Sequence, residues 1–236
     1  MLPFSQVFAL GVNNAAVAAT PSIAFRAGYS NGANASSYTF ASCDFGAAPE
    51  VGETREVFVT IEWYQGAVAT RTLSSVTIGG VAAALETPYS SGVLQAMCVA
   101  RAVVPTGATG DVVLTFSAAV ASCSIATYRV MNRTNVGMGA SDSGSASASG
   151  TTSGGVSGID VAAGGFVLSV AGWNNTVSAP SMSGLTGATS DVFNTPENTG
   201  YAAHGSTLLQ ASASTGNTIT WTWTTTRTGF MAAWAF

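Results

Sequence analysis

The chain has 236 residues, 47% of them apolar, and a formal charge of −4 from seven basic and eleven acidic side chains. Every basic residue is an arginine and charged residues make up only 8%, against about 25% in ordinary soluble domains. That balance excludes the clustered basic surface a nucleic-acid binder needs. No apolar run approaches the roughly 18 residues of a membrane-spanning helix, so the length suits one large β domain without disulfide staples.

Residues 1–20 carry no charge, and Leu2, Phe4, Val7, Phe8 and Leu10 are too apolar to stand in water. They read as an arm that packs on a partner chain or on its own domain. The stretch lacks a basic start and is interrupted by Gln6, Asn13 and Asn14, so it does not read as a secretory leader. From Ser22 two strands are predicted, SIAFR and SSYTFAS, with a turn over 28–35 between them. The polar stretch 44–55 gathers Asp44, Glu50 and Glu53 just before Glu56. Pro49 and Gly52 mark it as a solvated loop, and loop spacing alone does not make a cation site.

Residues 56–65, EVFVTIEWYQ, alternate with a period of two. Val57, Val59, Ile61 and Trp63 form an apolar face, while Phe58, Thr60, Glu62 and Tyr64 form a mixed one. A hairpin follows over 75–84, with Gly79-Gly80 supplying the positive φ angles of a two-residue turn. In the strand predicted over 93–104 the even positions Leu94, Ala96, Cys98, Ala100, Ala102 and Val104 form a small-apolar core face. After the turn PTGATG, strands are predicted over 111–117 and 123–131. Cys43, Cys98 and Cys123 have no CxxC spacing and are expected as free thiols, with one disulfide pair as the alternative.

The stretch 137–158 is almost wholly Ser, Gly and Ala. It reads as a polar outer strand with flanking loops, not an interdomain linker, because neither half is expected to hold a self-sufficient sandwich. Residues 166–173, FVLSVAGW, have buried-strand character, and 185–193 and 201–213 show weaker alternation. A closing hairpin is expected, with Ile219, Trp221 and Trp223 on a core face, a turn over 225–229, and a last strand to Phe236.

No catalytic constellation emerges. The lack of lysine removes P-loop and Schiff-base chemistry, and a single histidine without a GxSxG elbow removes a serine-hydrolase triad. Gly137-Met138-Gly139 lacks the third glycine of a dinucleotide site, and no pair of acids stands out. His204 has no partner motif for a metal. No catalytic, cofactor or metal residue is therefore assigned, and no enzyme is expected. The absence of lysine fits a surface hidden in protein contacts, where arginine is enriched, and equally a codon bias toward Ala, Gly and Arg.

SVTIGGVAAA at 75–84, VPTGATGDVVLTFS at 104–117, GGFVLSVAGW at 164–173 and the closing strand resemble a group of tailed-bacteriophage and prophage virion proteins. In that group a glycine-turn hairpin, a PTG-type turn and a late GG-apolar strand recur in a jelly-roll-like sandwich. The resemblance spans about residues 20–236 and leaves out the arm. It implies a virion location as a decoration, spike, fibre or tail component, with no activity to transfer.

The expectation is thus an all-β, jelly-roll-like antiparallel β-sandwich: one domain over 21–236 behind an extended N-terminal arm over 1–20. Its expected role is a non-enzymatic virion structural protein, a homo-oligomer bound to other virion proteins, with no cofactor, nucleic acid or membrane insertion. The alternative is a carbohydrate-binding module of a tail fibre or tip. Its candidate glycan contacts are Trp63, Tyr64, Trp173, Tyr201 and His204, since aromatic faces stack on sugar rings.

Overall fold

The structure, a computed structural model, describes residues 20–66, 69–92, 94–173, 177, 180–194 and 201–236, without the side chain of Asn194. Residues 1–19, including Leu2, Phe4, Val7, Phe8 and Leu10, lie outside the described residues, as does Val93. The described residues are all-β and the sheets are antiparallel, as the alternation predicts. The described strands form three sheets rather than two.

The central sheet runs in the order β1 (Ser22–Asn31), β10 (Ser122–Met131), β3 (Arg55–Tyr64), β8 (Gln95–Val103), β6 (Ala84–Leu85), with β7 (Tyr89–Ser90) also on β8. The outer sheet runs β2 (Ala35–Asp44), β9 (Thr109–Val120), β4 (Leu73–Ile78), β5 (Val81–Ala82). In the chain up to Met131 the pairings nest: β1 with β10, β2 with β9, β3 with β8 and β4 with β5. It is a long hairpin wound on itself so that β10 also meets β3 and β9 also meets β4. Gly79 and Gly80 close the innermost turn with φ of 58° and 80°, values that glycine adopts free of a Cβ clash.

The third sheet has the order β11 (Asp142–Val161), β16 (Ser214–Ala235), β12 (Val167–Trp173), β15 (Tyr201–Ser206), β14 (Thr189–Asn194), with β13 (Ser181–Ser183) also on β16. The Ser/Gly/Ala stretch is indeed an outer strand, 20 residues long, broken by several register shifts. The predicted closing hairpin is not formed. Residues 214–235 are one continuous strand, because Thr225, Thr226 and Thr228 favour extended backbone and Gly229 does not turn at a positive φ. Likewise β1 runs on through Gly28, and its turn occupies 32–34.

Three cores follow from strands that are apolar on both faces. Val57, Val59, Ile61 and Trp63 pack with Tyr38, Ile78, Leu114 and Phe116 of the outer sheet. Ala96, Cys98, Ala100, Ala102 and Val104 join that core, as their alternation predicts. On the other face of the central sheet, Phe58, Met97, Val99, Tyr128 and Val130 meet Phe166, Leu168, Val170, Ala232 and Trp234 of the third sheet. The third sheet is then bent double over its own core, where Trp173, Met231 and Ala233 face Ile219, Trp221 and Trp223. Trp221 Nε1 donates to Ser169 Oγ at 2.9 Å and so ties the folded-over half of β16 to β12. Each half of the chain therefore encloses its own core, and the third core is the seam between them. The single two-sheet sandwich expected over 21–236 is extended in this respect. Period-two alternation identifies faces but not what covers them.

Arg55 holds the first half together at its loops. Fully buried, its guanidinium donates five hydrogen bonds, to the carbonyls of Val104, Gly46, Ala47, Thr106 and Gly107 at 2.7–3.0 Å. Arg55→Met is expected to leave those carbonyls without a donor and to lower stability by about 3–5 kcal/mol in urea unfolding. Arg55→Lys should recover only part of this, because one ammonium cannot span five acceptors. A Met variant as stable as the native chain would refute the assignment.

Candidate functional site

The seam carries the polar groups that the cores exclude. Residues 56, 58, 60 and 62 share the face of β3 turned to the third sheet, which reads Glu, Phe, Thr, Glu. At one end Glu56 Oε2 accepts from Arg133 Nε at 2.8 Å, and the Arg133 guanidinium lies 5.4 Å over Phe58 and 5.9 Å over Phe236. Arg101 Nε donates to Glu86 at 2.7 Å beside that pair. Glu56, Arg101 and Arg133 are buried and Glu86 partly so, and each has an opposite partner.

Toward the other end the groups change from paired charges to neutral hydrogen-bonding groups. His204 of β15 is fully buried between two hydroxyls, with Nδ1 2.8 Å from Thr60 Oγ1 and Nε2 2.6 Å from Ser124 Oγ. One ring nitrogen donates and the other accepts. Burial pushes its pKa down to about 3, so the ring is neutral at pH 7. Glu62, opposite Ser124 in the ladder, is fully buried, and among the described residues neither carboxyl oxygen has a hydrogen-bond partner. Burial pushes its pKa up to about 8, which makes it a carboxylic acid, not a carboxylate, at pH 7. Gln95 Nε2 and Ser122 Oγ, on the strands either side of Glu62, are also unpaired.

The row continues outward to Asp191 of β14, whose carboxylate accepts from Ser206 Oγ and Thr189 Oγ1, both at 2.6 Å. Burial raises its pKa against those hydrogen bonds. The buried Tyr128 hydroxyl lies beside Asp191 and Thr60, and desolvation with the neighbouring Asp191 raises its pKa well above 10. Asp191, Ser206 and Thr189 line an open cleft walled by Ile23, Phe25 and Leu208.

The Ser124–His204 contact has the reach of a nucleophile and base. Its third member, however, is the Thr60 hydroxyl rather than an orienting carboxylate, and all three side chains are inaccessible. The arrangement stores polar groups between sheets and offers no open reaction site. Among the described residues, no three His, Cys, Asp or Glu side chains gather as a metal site.

The sequence candidates for a glycan platform separate. Trp63 lies in the core of the first half, with Nε1 donating to the Arg71 carbonyl. Trp173 lies in the third sheet's core, edge-on to Trp223 at 5.3 Å. His204 is in the seam. These three cannot present a face to a sugar, which corrects their assignment; each sits on a face that a second sheet covers. Tyr64 and Tyr201 are half-buried on different sheets, and Tyr201 stacks on Phe193 at 6.1 Å. Of the acids at 44–56, Asp44 pairs with Arg26 at 2.7 Å and Glu56 with Arg133, while Glu53 Oε2 accepts from the Glu50 backbone N–H. All three cysteines are buried free thiols. Glu62, Thr60, Ser124 and Asp191 were not singled out by sequence reasoning. The one available signal was an acid at an alternating position inside a strand otherwise made of β-branched and aromatic residues.

No protein-family model matches the chain, and no curated protein matches it.

All five tryptophans are at most 3% exposed. Their emission should therefore be blue-shifted, weakly quenched by iodide and unaltered by mono- or disaccharides. Strong iodide quenching relieved by a sugar would put an aromatic platform back on the surface.

Proposed function

We propose that this chain is a non-enzymatic structural protein of a bacteriophage virion, displayed on the capsid or tail as a decoration, spike or fibre component. It acts as a homo-oligomer held to other virion proteins by protein–protein contacts. The observation that carries the reading is the nested pairing of β1–β10, β2–β9, β3–β8 and β4–β5. Such nesting supports a jelly-roll-like reading, an architecture that recurs among capsid proteins. Because one fold hosts many functions, this supports the reading only together with the virion-protein resemblance and the low charge of the chain. The buried tryptophans weigh against the glycan-binding alternative. The apolar residues Leu2, Phe4, Val7, Phe8 and Leu10 are proposed as the attachment segment.

The test is to purify intact particles, detect the chain by mass spectrometry and locate it by electron microscopy. Ordered copies on the shell or tail are expected. Deletion of residues 1–20 should leave the β-rich circular dichroism spectrum intact and abolish co-sedimentation with particles. A chain found only in the soluble fraction of infected cells would sink the proposal.

A further inference from the structure

We propose that the seam between the two halves of the chain is a proton-operated latch, closed while Glu62 is protonated and His204 is neutral, and opened by a change of charge at either. The proposal does not rest on the virion reading. Its basis is the layout of the cores. The halves up to Met131 and from Asp142 each have their own core, so parting the seam exposes one apolar layer without dismantling the other two. Within that layer Glu62 is fully enclosed with both oxygens unpaired, and His204 is held only by two neutral hydroxyls. Among the described residues, a charge on either would have no counter-ion in place.

The other ionisable groups facing the seam are already settled. From β3 and β8, Glu56 and Arg101 belong to the ion-pair network with Arg133 and Glu86, and Tyr64 follows Glu62 on the same face at the half-buried end of β3. From β10, Tyr128 keeps its proton far above neutrality, as does the Cys123 thiol on the reverse side of that strand. From β14, Asp191 is hydrogen-bonded to two hydroxyls, and the Tyr89 hydroxyl of β7 meets Ser143. Neither β12 nor β16 places an ionisable side chain in this layer. Glu62 and His204 are left as the two fully enclosed groups that titrate with the opening, and Asp191, whose pKa burial also raises, acts in the same direction as Glu62.

The direction follows from each group's two pKa values. In the closed seam Glu62 holds its proton up to pH about 8, and once open it loses it near its ordinary 4.5. Opening therefore releases a proton, and the open fraction rises about tenfold per pH unit between those values and levels off above them. His204 behaves oppositely. It stays neutral in the closed seam down to pH about 3 but takes a proton near 6.5 when open, so the open fraction rises about tenfold per unit as pH falls through that interval. Between about pH 4.5 and 6.5 the two effects cancel. The latch is tightest on that plateau and loosens on either side.

The test uses the full chain in urea just below its unfolding midpoint, with a fluorescent dye that binds exposed apolar surface and far-UV circular dichroism read together from pH 3 to 9.5. The expected profile is low dye binding on the plateau and a rise on both sides while the β signal persists. Glu62→Gln, a neutral isostere of the protonated acid, should keep the acid arm and lose the alkaline rise; Glu62→Met serves if the amide fails to fold. His204→Gln should lose the acid arm alone. The proposal is overturned if Glu62→Gln shows the native alkaline rise, if dye binding stays flat across the range, or if it appears only with loss of the β signal.

Discussion

The structure depends on one constraint, that the central sheet is covered on both faces. In β3 every residue from Arg55 to Trp63 is buried, with Val57, Val59, Ile61 and Trp63 on one side and Phe58, Thr60 and Glu62 on the other. Burying five large apolar side chains there contributes of order 10 kcal/mol. Keeping Glu62 enclosed would cost about 5 kcal/mol if it were ionised, from a pKa moved from 4.5 to about 8. Since the apolar layer wins, the acid gives up its charge rather than the sheet giving up its cover. The seam's chemistry is thus a consequence of packing.

The same constraint explains the basic residues better than either reading open to the sequence. Arg55, Arg101 and Arg133 are three of the seven arginines, and all are buried. Arg55 satisfies five carbonyls, and Arg133 combines a carboxylate, the Met138 carbonyl and two aromatic faces. A planar, delocalised cation with five donors does this; a compact ammonium does not. Interior demands therefore account for part of a bias that composition alone assigns to interfaces or to codon usage.

Alternation in β3 and β8, the Gly79-Gly80 turn and the inward tryptophans of β16 were legible because local period and turn chemistry determine them. The count of sheets was not. Even positions 58, 60 and 62 look like a mixed solvent face until a distant strand, β12 or β15, is known to cover them, and that information is non-local. His204 was noticed only for being the sole histidine, and its partners Thr60 and Ser124 lie 144 and 80 residues away in sequence. The expected turn at 225–229 failed for a related reason: a glycine after a run of threonines resembles a hairpin end, but β11 pairs along both halves of β16 and keeps it extended.

The Ser/Gly/Ala composition of β11 follows from the bend of the third sheet. A Cβ at Gly154 would stand 2.6 Å from Met231 Cε, and one at Gly144 would stand 3.0 Å from Val156 Cγ1. Met231 lies on the far half of β16 from Trp221, the ladder partner of Gly154, so these approaches exist only because the ribbon of β11 and β16 folds back over its own core. Small residues are what such a fold permits. A stretch whose composition suggests a flexible linker is therefore held by steric limits on its inner side, while its serines and threonines hydrate the outer one.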